Sequence, residues 1–468
     1  MIHEIYQMFS DVLSNDWVTQ MTEWSDRVHL CREYAMGDHR QEITSEMAQL
    51  LRIDQTDVLD HFNANYMQKV IDAMADRLIV SQMAVNDDMA QVWVDDLLRV
   101  NRWDGLQMDV HEAVVRDGDT FVMAVWDEAR GRVRLSHELA YDGDWGMIPI
   151  YSRSDRRNLH AAVKIVGVGD EEYMVYVYHA DRVETYKADS EHGGLHPYVM
   201  DEAESHVQSW IVGQFPVVHY SNRPNTMTGL GSSELIAGIP LNDVINRTIM
   251  SMVAASELSA FQIMYLIGAE APSKVTPGMI MNIGKEGIPK DEVQMPVVGT
   301  VAQNSPVPFL EVIDSMIDKI SDVTSTPIHL GSAAQSGEAL KQREVALLAK
   351  VRRAQVKLGN RHEDMITLAA NVARVYGTMA VPVVDTVNTQ WVDAQVRNDR
   401  EVVENAVTTF GVTNDVELYL QNISPVYGWT EDDRSEILDR ITQQRRDVLS
   451  FAAAPPLNFD PVLNSEAV

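Results

Sequence analysis

This 468-residue chain has one cysteine, Cys31. Neither a disulfide framework nor a four-cysteine zinc site can therefore form within one copy, and a reducing setting suits the sequence. Basic residues are scarce as well: 38 Lys and Arg stand against 69 Asp and Glu, a formal net charge of −31. A protein that grips DNA by neutralising phosphates is basic, so a broad, tight DNA-binding surface is excluded. What remains is an ordinary soluble acidic protein, or one that touches a polyanion without sticking to it. Long apolar runs are missing too. The most apolar stretch, 249–269, is interrupted by Glu257, and no transmembrane span is expected. The opening MIHEIYQMFSDVL lacks the basic region and apolar run of a secretion signal.

Catalytic signatures are equally sparse. The sequence holds no HExxH and no GxSxG. His61, His111, His137 and His179 lack ligand spacing. Cys31, in HLCREYAMG, reads as a packed small hydrophobe. YDGDWG (141–146) offers Asp142 and Asp144 without the rest of a calcium loop, and reads as a turn. GMIMNIGKE (278–286) approximates a phosphate-binding loop. Its spacing has one residue too many, and Glu286 stands where a Ser or Thr must reach magnesium. TGLGSSEL (228–235) reads as a Gly-rich approach to a helix, with an anion cradle as the other option. These residues predict no enzyme, no cofactor and no metal.

What is present is a chain that is 45% hydrophobic, long enough for several subdomains. The pattern predicts an α+β, mainly helical fold. Residues 1–100 read mostly as helix, with Met67, Val70, Ile71, Met74, Ala75 and Leu78 on one face. TFVMAVWD and RVRLSH read as a hairpin about EARG, and further strands lie between Ala161 and Lys187. Ser232 suits a helix N-cap. The segment 261–308, rich in Pro and Gly, reads as a compact β-turn module. VPVVDTV and NTQWVDAQV (381–396) read as strands. From Asn398 the chain turns helical, with Thr430 as a cap.

Between these lies PFLEVIDSMIDKISDVTST. One stripe is apolar: Phe309, Val312, Ile313, Met316, Ile317, Ile320 and Val323. A second is acidic: Glu311, Asp314, Asp318 and Asp322, with only Lys319 nearby. A solvated face is the ordinary explanation for such a stripe. After Pro327 come ten residues of mostly small or amide side chains, and then a helix pattern from about Gly337 to Tyr376, with a kink expected at Gly359-Asn360. Within 341–361 seven cations, Lys341, Arg343, Lys350, Arg352, Arg353, Lys357 and Arg361, face Glu344 alone. Such a reversal of sign fits salt bridges within or between copies, or contact with phosphate.

Taken in order, several segments resemble the portal proteins of tailed bacteriophages, in the siphophage-type branch. They include YAMGDHR (34–40), NYMQKVIDAMADRLIV (65–80), VRDGDTFVMAVWDE (115–128), FPVVHYSNRPNTMTGLGSSEL (215–235), LNDVINRTIMSMVAASELSAFQ (241–262), STPIHLG (325–331), SGEALKQRE (336–344) and NTQWVDAQV (388–396). The resemblance implies the portal fold, with wing, stem, clip and crown. The wing takes 1–225 and, with its long kinked helix, 338–397. The stem helices take 226–262 and 309–326, the clip 263–308, a tunnel loop 327–337, the crown 398–450 and a flexible tail 451–468.

It also implies a ring, commonly of twelve subunits, at one capsid vertex of the virion, assembled in the host cytoplasm. Double-stranded DNA passes through it without sequence-specific binding. Its implied partners are the major capsid protein, the terminase large subunit and a head-to-tail adaptor protein, with no membrane. His329, Gly331, Ser332, Ala333, Ala334, Gln335 and Ser336 would then face the DNA at the narrowest point. Glu311, Asp314, Asp318 and Asp322 become a candidate channel lining. Lys341, Arg343, Arg352 and Arg353 become candidates for subunit or DNA contact, and Lys285, Glu286, Lys290, Asp291 and Glu292 the docking surface of the clip. The competing expectation is a ring-shaped DNA-translocating ATPase, which the imperfect nucleotide loop disfavours.

Overall fold

The computed structural model describes residues 1–39, 63–152, 154, 158–169, 172–189, 194–199, 205–260, 264–267, 280–283, 297–300, 305–328, 337–377, 381–384, 386–395, 399–427, 429 and 431–452. The chain divides into two units, Met1–Ala394 and Gln395–Val468. Both helices and sheets contribute, and helix predominates among the described residues.

The first unit opens with helices α1 (Ile2–Met8), α2 (Trp17–Met36) and α3 (Met67–Ala75). In α2, Trp17, Met21, Trp24, Val28 and Cys31 recur at helical spacing and are buried, and Gly37, at φ 78°, ends the helix in the left-handed conformation. The expected helical face of α3 is present, but the helix stops at Ala75 and the chain enters strand β1 (Val80–Val85). Helices α4 (Asp88–Val100) and α5 (Trp103–Asp117) follow. Asp87 caps α4 by accepting the Ala90 amide at 2.8 Å. Arg102, at φ 53°, separates α4 from α5.

Strands β2 (Asp119–Asp127) and β3 (Arg132–Leu139) form the expected hairpin. A second sheet takes β4 (Gly146–Tyr151), β5 (Leu159–Gly169), β6 (Glu172–Tyr178), β7 (Arg182–Asp189) and β8 (Leu195–Pro197) in that order, with β9 (Val207–Ser209) also pairing β7. Strand β10 (Val217–Ser221) returns to the other edge of β2.

Helix α6 spans Ile239–Ala260 and does not begin near Ser232. The amides that a cap would have freed are already engaged. Glu234 N donates to Val115 O and Leu235 N to Ser233 Oγ. The helix starts instead with Pro240 in its first turn, where no amide donor is needed. Short strands β11 (Met264–Ile267), β12 (Ile280–Ile283) and β13 (Val297–Thr300) make a three-stranded sheet, β11 parallel to β12 and antiparallel to β13.

Helix α7 (Val307–Thr324) packs against α6, and α8 (Gly337–Tyr376) then runs 40 residues, about 60 Å at 1.5 Å per residue. It is continuous through Gly359, which has another use. A Cβ there would lie 3.4 Å from Trp391 Nε1, and Thr389 Oγ1 donates to the Gly359 carbonyl at 3.2 Å. The glycine lets strand β14 (Val387–Trp391) lie close against the helix. β14, a strand expected from NTQWVDAQV, pairs β1, a strand that the mostly helical reading of residues 1–100 did not expect, and so joins distant parts of the chain. VPVV (381–384) is not a strand. Pro382 has no amide to donate, and its carbonyl accepts from Arg374 at 3.0 Å.

Two cores hold this unit. One gathers α3, α5, β2, α7 and α8 around residues such as Ile71, Val114, Ile317, Leu347 and Ile366. The other packs α1 and α2 over β4, β5 and β6 through Phe9, Trp24, Met147 and Val163. The second unit is helical, as expected: α9 (Asp399–Thr413), α10 (Val416–Tyr427) and α11 (Glu431–Ala452) close on Ala406, Leu420 and Ile423. Thr430 and 453–468 lie outside the described residues.

Candidate functional site: an acidic helix and its buried anchor

Helix α7 has two opposite characters. Ile313, Ile317 and Ile320 are buried with Ile245 of α6 and Leu347 and Val351 of α8. Each isoleucine contributes roughly 1.5–3 kcal/mol by leaving water. The apolar stripe read from the sequence therefore splits: its isoleucines serve the chain's own core, while Val312 and Val323 stay exposed. On the far side Glu311, Asp314, Asp318 and Asp322 are all exposed. None of the four makes an ion pair with a described residue. Asp314 reaches the start of α3, where burial first, and then its charge, raises the Tyr66 hydroxyl pKa.

The C-terminal end of α7 is bolted down. Ser325 closes the helix in the left-handed conformation at φ 53°, and Pro327 follows. Lys350 of α8 donates to the Thr324 carbonyl at 2.8 Å and pairs with Glu234 at 2.7 Å. The Glu234 side chain, 2% exposed, also receives Arg223 Nε at 3.0 Å and Asn222 Nδ2 at 2.8 Å. Burial lowers the Lys350 pKa and the Glu234 charge opposes that shift. The Lys350 ammonium thus ties α8, the 222–234 turn and the last turn of α7 together.

This anchor continues into a second buried cluster that sequence reasoning missed. Asp119, fully buried at the head of β2, accepts from Trp24 Nε1 at 2.9 Å, His219 Nε2 at 2.8 Å and Gly231 N at 2.8 Å. Asp117 receives Arg32 and Arg116. Between them Gly118, at φ 90°, meets Gly231 backbone to backbone, where a Cβ on Gly231 would lie 2.0 Å from the Gly118 carbonyl oxygen. A signal was there: a carboxylate leading an apolar strand in RDGDTFVMAV must find buried donors.

His219 Nδ1 also bonds Tyr151 Oη at 2.6 Å, so Asp119, His219 and Tyr151 line up like a catalytic triad. Burial, reinforced by the Asp119 charge, pushes the Tyr151 pKa well up. That is the reverse of an activated nucleophile, and the line braces β10 against β2 and β4. Asp142 behaves as the turn reading expects: Oδ1 accepts the Asp144 and Trp145 amides, and Oδ2 pairs with Arg32 at 2.6 Å. Cys31 is buried, and burial raises its thiol pKa to about 11. No group of three or more candidate metal ligands occurs among the described residues, and no helix searched there is long and apolar enough to cross a membrane.

The remaining sequence-derived residues fall as follows. His329, Gly331, Ser332, Ala333, Ala334, Gln335 and Ser336 lie outside the described residues, as do Lys285, Glu286, Lys290, Asp291 and Glu292. Lys341 and Arg343 belong to α8, but their side chains lie outside the description. Arg352 and Arg353 are exposed on α8. Of the basic run, Lys350 makes the buried pair just described, and Arg361 pairs with Asp364 at 2.8 Å.

Buried charge is thus spent on bracing, and exposed charge is sorted by face. The family described as "Phage portal protein, SPP1 Gp6-like" matches residues 23–447, and the chain belongs to it. That agrees with the resemblance carried by the sequence segments above. No curated protein matches the chain.

Among solved structures, the neck of an empty gene transfer agent particle computed with C6 symmetry is similar at 14% identity, covering 82% of this chain and 94% of that one, with a TM-score of 0.45. The neck of the native particle computed with C12 symmetry gives 14% identity, 85% and 98% coverage and a TM-score of 0.43.

Proposed function

We propose that twelve copies of this chain close into a ring at one capsid vertex of a virion, and that double-stranded DNA passes along its axis during packaging and ejection. In this reading α6 and α7 belong to the stem, β11, β12 and β13 to the clip, 327–337 is the tunnel loop, the rest of the first unit is wing, and α9, α10 and α11 form the crown. The observation that carries the reading is the sorting of α7. Its isoleucines are committed to the chain's interior, while Glu311, Asp314, Asp318 and Asp322 are left exposed without an ion pair among the described residues. Repeated around a ring, these carboxylates repel phosphate, so the duplex slides without adhering.

The small residues Gly331, Ser332, Ala333, Ala334 and Ser336, with His329 and Gln335, leave room at the narrowest point. Lys285, Glu286, Lys290, Asp291 and Glu292 offer charges to the terminase large subunit and later to the head-to-tail adaptor, and the wing meets the major capsid protein. The ring assembles in the host cytoplasm and performs no chemistry of its own.

Electron microscopy of the purified chain should show holed rings, and the copies can be counted. Asp314→Lys together with Asp318→Lys should leave rings intact and slow or stall genome filling. Normal filling by that variant would remove the lining role.

A further inference from the structure

Helix α8 carries a face that is exposed among the described residues. Val345, Ala349, Arg352 and Val356 step by three, four or seven along one side, with Arg353 and Lys357 on its flank. Val345 is 61% and Val356 68% exposed. Between Val345 and Asn360 the helix has no acid. Arg353 and Lys357 are like charges one turn apart, which destabilises an isolated helix. Burial, with Arg353 and Arg223 nearby, lowers the Lys357 pKa, so these cations already crowd one another.

Helix α4 carries the complement. Met89 and Val92 are 75% and 70% exposed. They share their face with Asp88, Asp95 and Asp96, against which Arg99 is the one cation of that helix. Each face thus has an apolar centre beside charge of a single dominant sign, and the signs are opposite. Two different, complementary patches on one subunit are what a head-to-tail contact requires, and a head-to-tail contact that closes makes a ring.

We infer that the α8 face of one copy docks on the α4 face of the next. Val345 and Val356 bury against Met89 and Val92, and Arg352, Arg353 and Lys357 pair with Asp88, Asp95 and Asp96. The exposed valines set this partner apart from a phosphate backbone, which offers nothing apolar to cover them. The inference rests on the ring reading and assigns one of its contacts.

The test uses the full-length chain, with light scattering and electron microscopy as readouts. Arg352→Glu with Arg353→Glu should cut ring yield at least tenfold, as should Asp95→Lys with Asp96→Lys. All four changes in one chain should restore most of it. Since Cys31 is buried, a Val92→Cys, Val356→Cys double variant should form an inter-copy disulfide ladder on oxidation, absent in either single variant.

Wild-type chain that never forms rings would defeat the ring reading itself. Wild-type rings with both reversals harmless, with no rescue by the combined variant, or with no ladder would overturn this contact alone. Salt-sensitive DNA binding lost in the arginine variant while assembly stays normal would assign the α8 face to phosphate.

Discussion

Replacing Lys350 by methionine tests the anchor at the end of α7. The substitution keeps the length and apolar stem of the side chain and removes the ammonium. Glu234, 2% exposed, then loses its 2.7 Å partner, and the Thr324 carbonyl loses its 2.8 Å donor. Breaking one side of a buried ion pair costs about 3–5 kcal/mol, because the remaining charge is left uncompensated. Here Arg223 and Asn222 still reach Glu234, so the lower end of that range, about 3 kcal/mol, is expected. Glu234→Gln alone should cost a similar amount, by stranding Lys350. The double variant should cost much less than the sum, since residues in one network are not additive. Urea unfolding followed by tryptophan fluorescence measures all three. A Lys350→Met chain within about 1 kcal/mol of wild type, or strict additivity, would refute the idea that this pair fastens α7 to α8.

Two further perturbations probe the hidden polar contacts. His111 and His362 are fully buried with their Nε2 atoms 3.0 Å apart, and Tyr220 Oη bonds His362 Nδ1 at 3.0 Å. Burial lowers the His111 pKa to about 4, and burial, followed by the neighbouring His111, lowers that of His362 well below its usual value. Both rings therefore stay neutral in the fold while the unfolded chain takes up protons below about pH 6.5. Their contribution is complete above that pH and is lost as the pH falls toward 4, by up to about 1.4 kcal/mol per pH unit for each ring. His111→Gln should flatten the difference in unfolding free energy between pH 6.5 and 4.5, and an unchanged slope would count against it. Gly231→Ala should prevent stable folding, because its Cβ would meet the Gly118 carbonyl at 2.0 Å, whereas Gly411→Ala, in helix α9 with nothing within 4 Å, should stabilise by about 0.5–1 kcal/mol. Equal melting of these two glycine variants would show that the 118–231 crossing is not tight.

The elements legible in the sequence were those with a strong local period. The hairpin of β2 and β3, strands β5 to β7, and helices α7 and α8 follow from patterns within one segment. Strand β1 was hidden because its burial alternates irregularly through VSQMAV and its partner among the described residues, β14, lies some 300 residues away. The start of α6 was misplaced because Ser232 has the right side chain for a cap, while the Glu234 amide it would serve is taken by the Val115 carbonyl, a tertiary fact. The acidic face of α7 was visible as spacing. The Glu234–Lys350 pair was not: Lys350 was visible in the basic run as a candidate for salt bridges, but nothing marked Glu234 as its partner, and only folding brings the two within 2.7 Å.

That pair also bears on why the chain ends a helix at Thr324 and resumes one at Gly337. A segment of small residues has little core of its own, so its position must be imposed from its ends. On one side Lys350 holds the Thr324 carbonyl, Ser321 Oγ accepts the Ile328 amide at 3.1 Å, and Ile317 and Ile320 sit in the main core. On the other, Leu347 and Val351 of α8 share that core, and Glu344 pairs with Arg77 at 3.1 Å. Both flanks are therefore tied to one core. If the ring reading holds, cutting this tie with Lys350→Met should loosen the constriction before it disrupts assembly. DNA should then leak from filled particles at a temperature where wild-type particles retain it. Identical retention, in a variant already shown to be destabilised by about 3 kcal/mol, would separate the anchor from the channel.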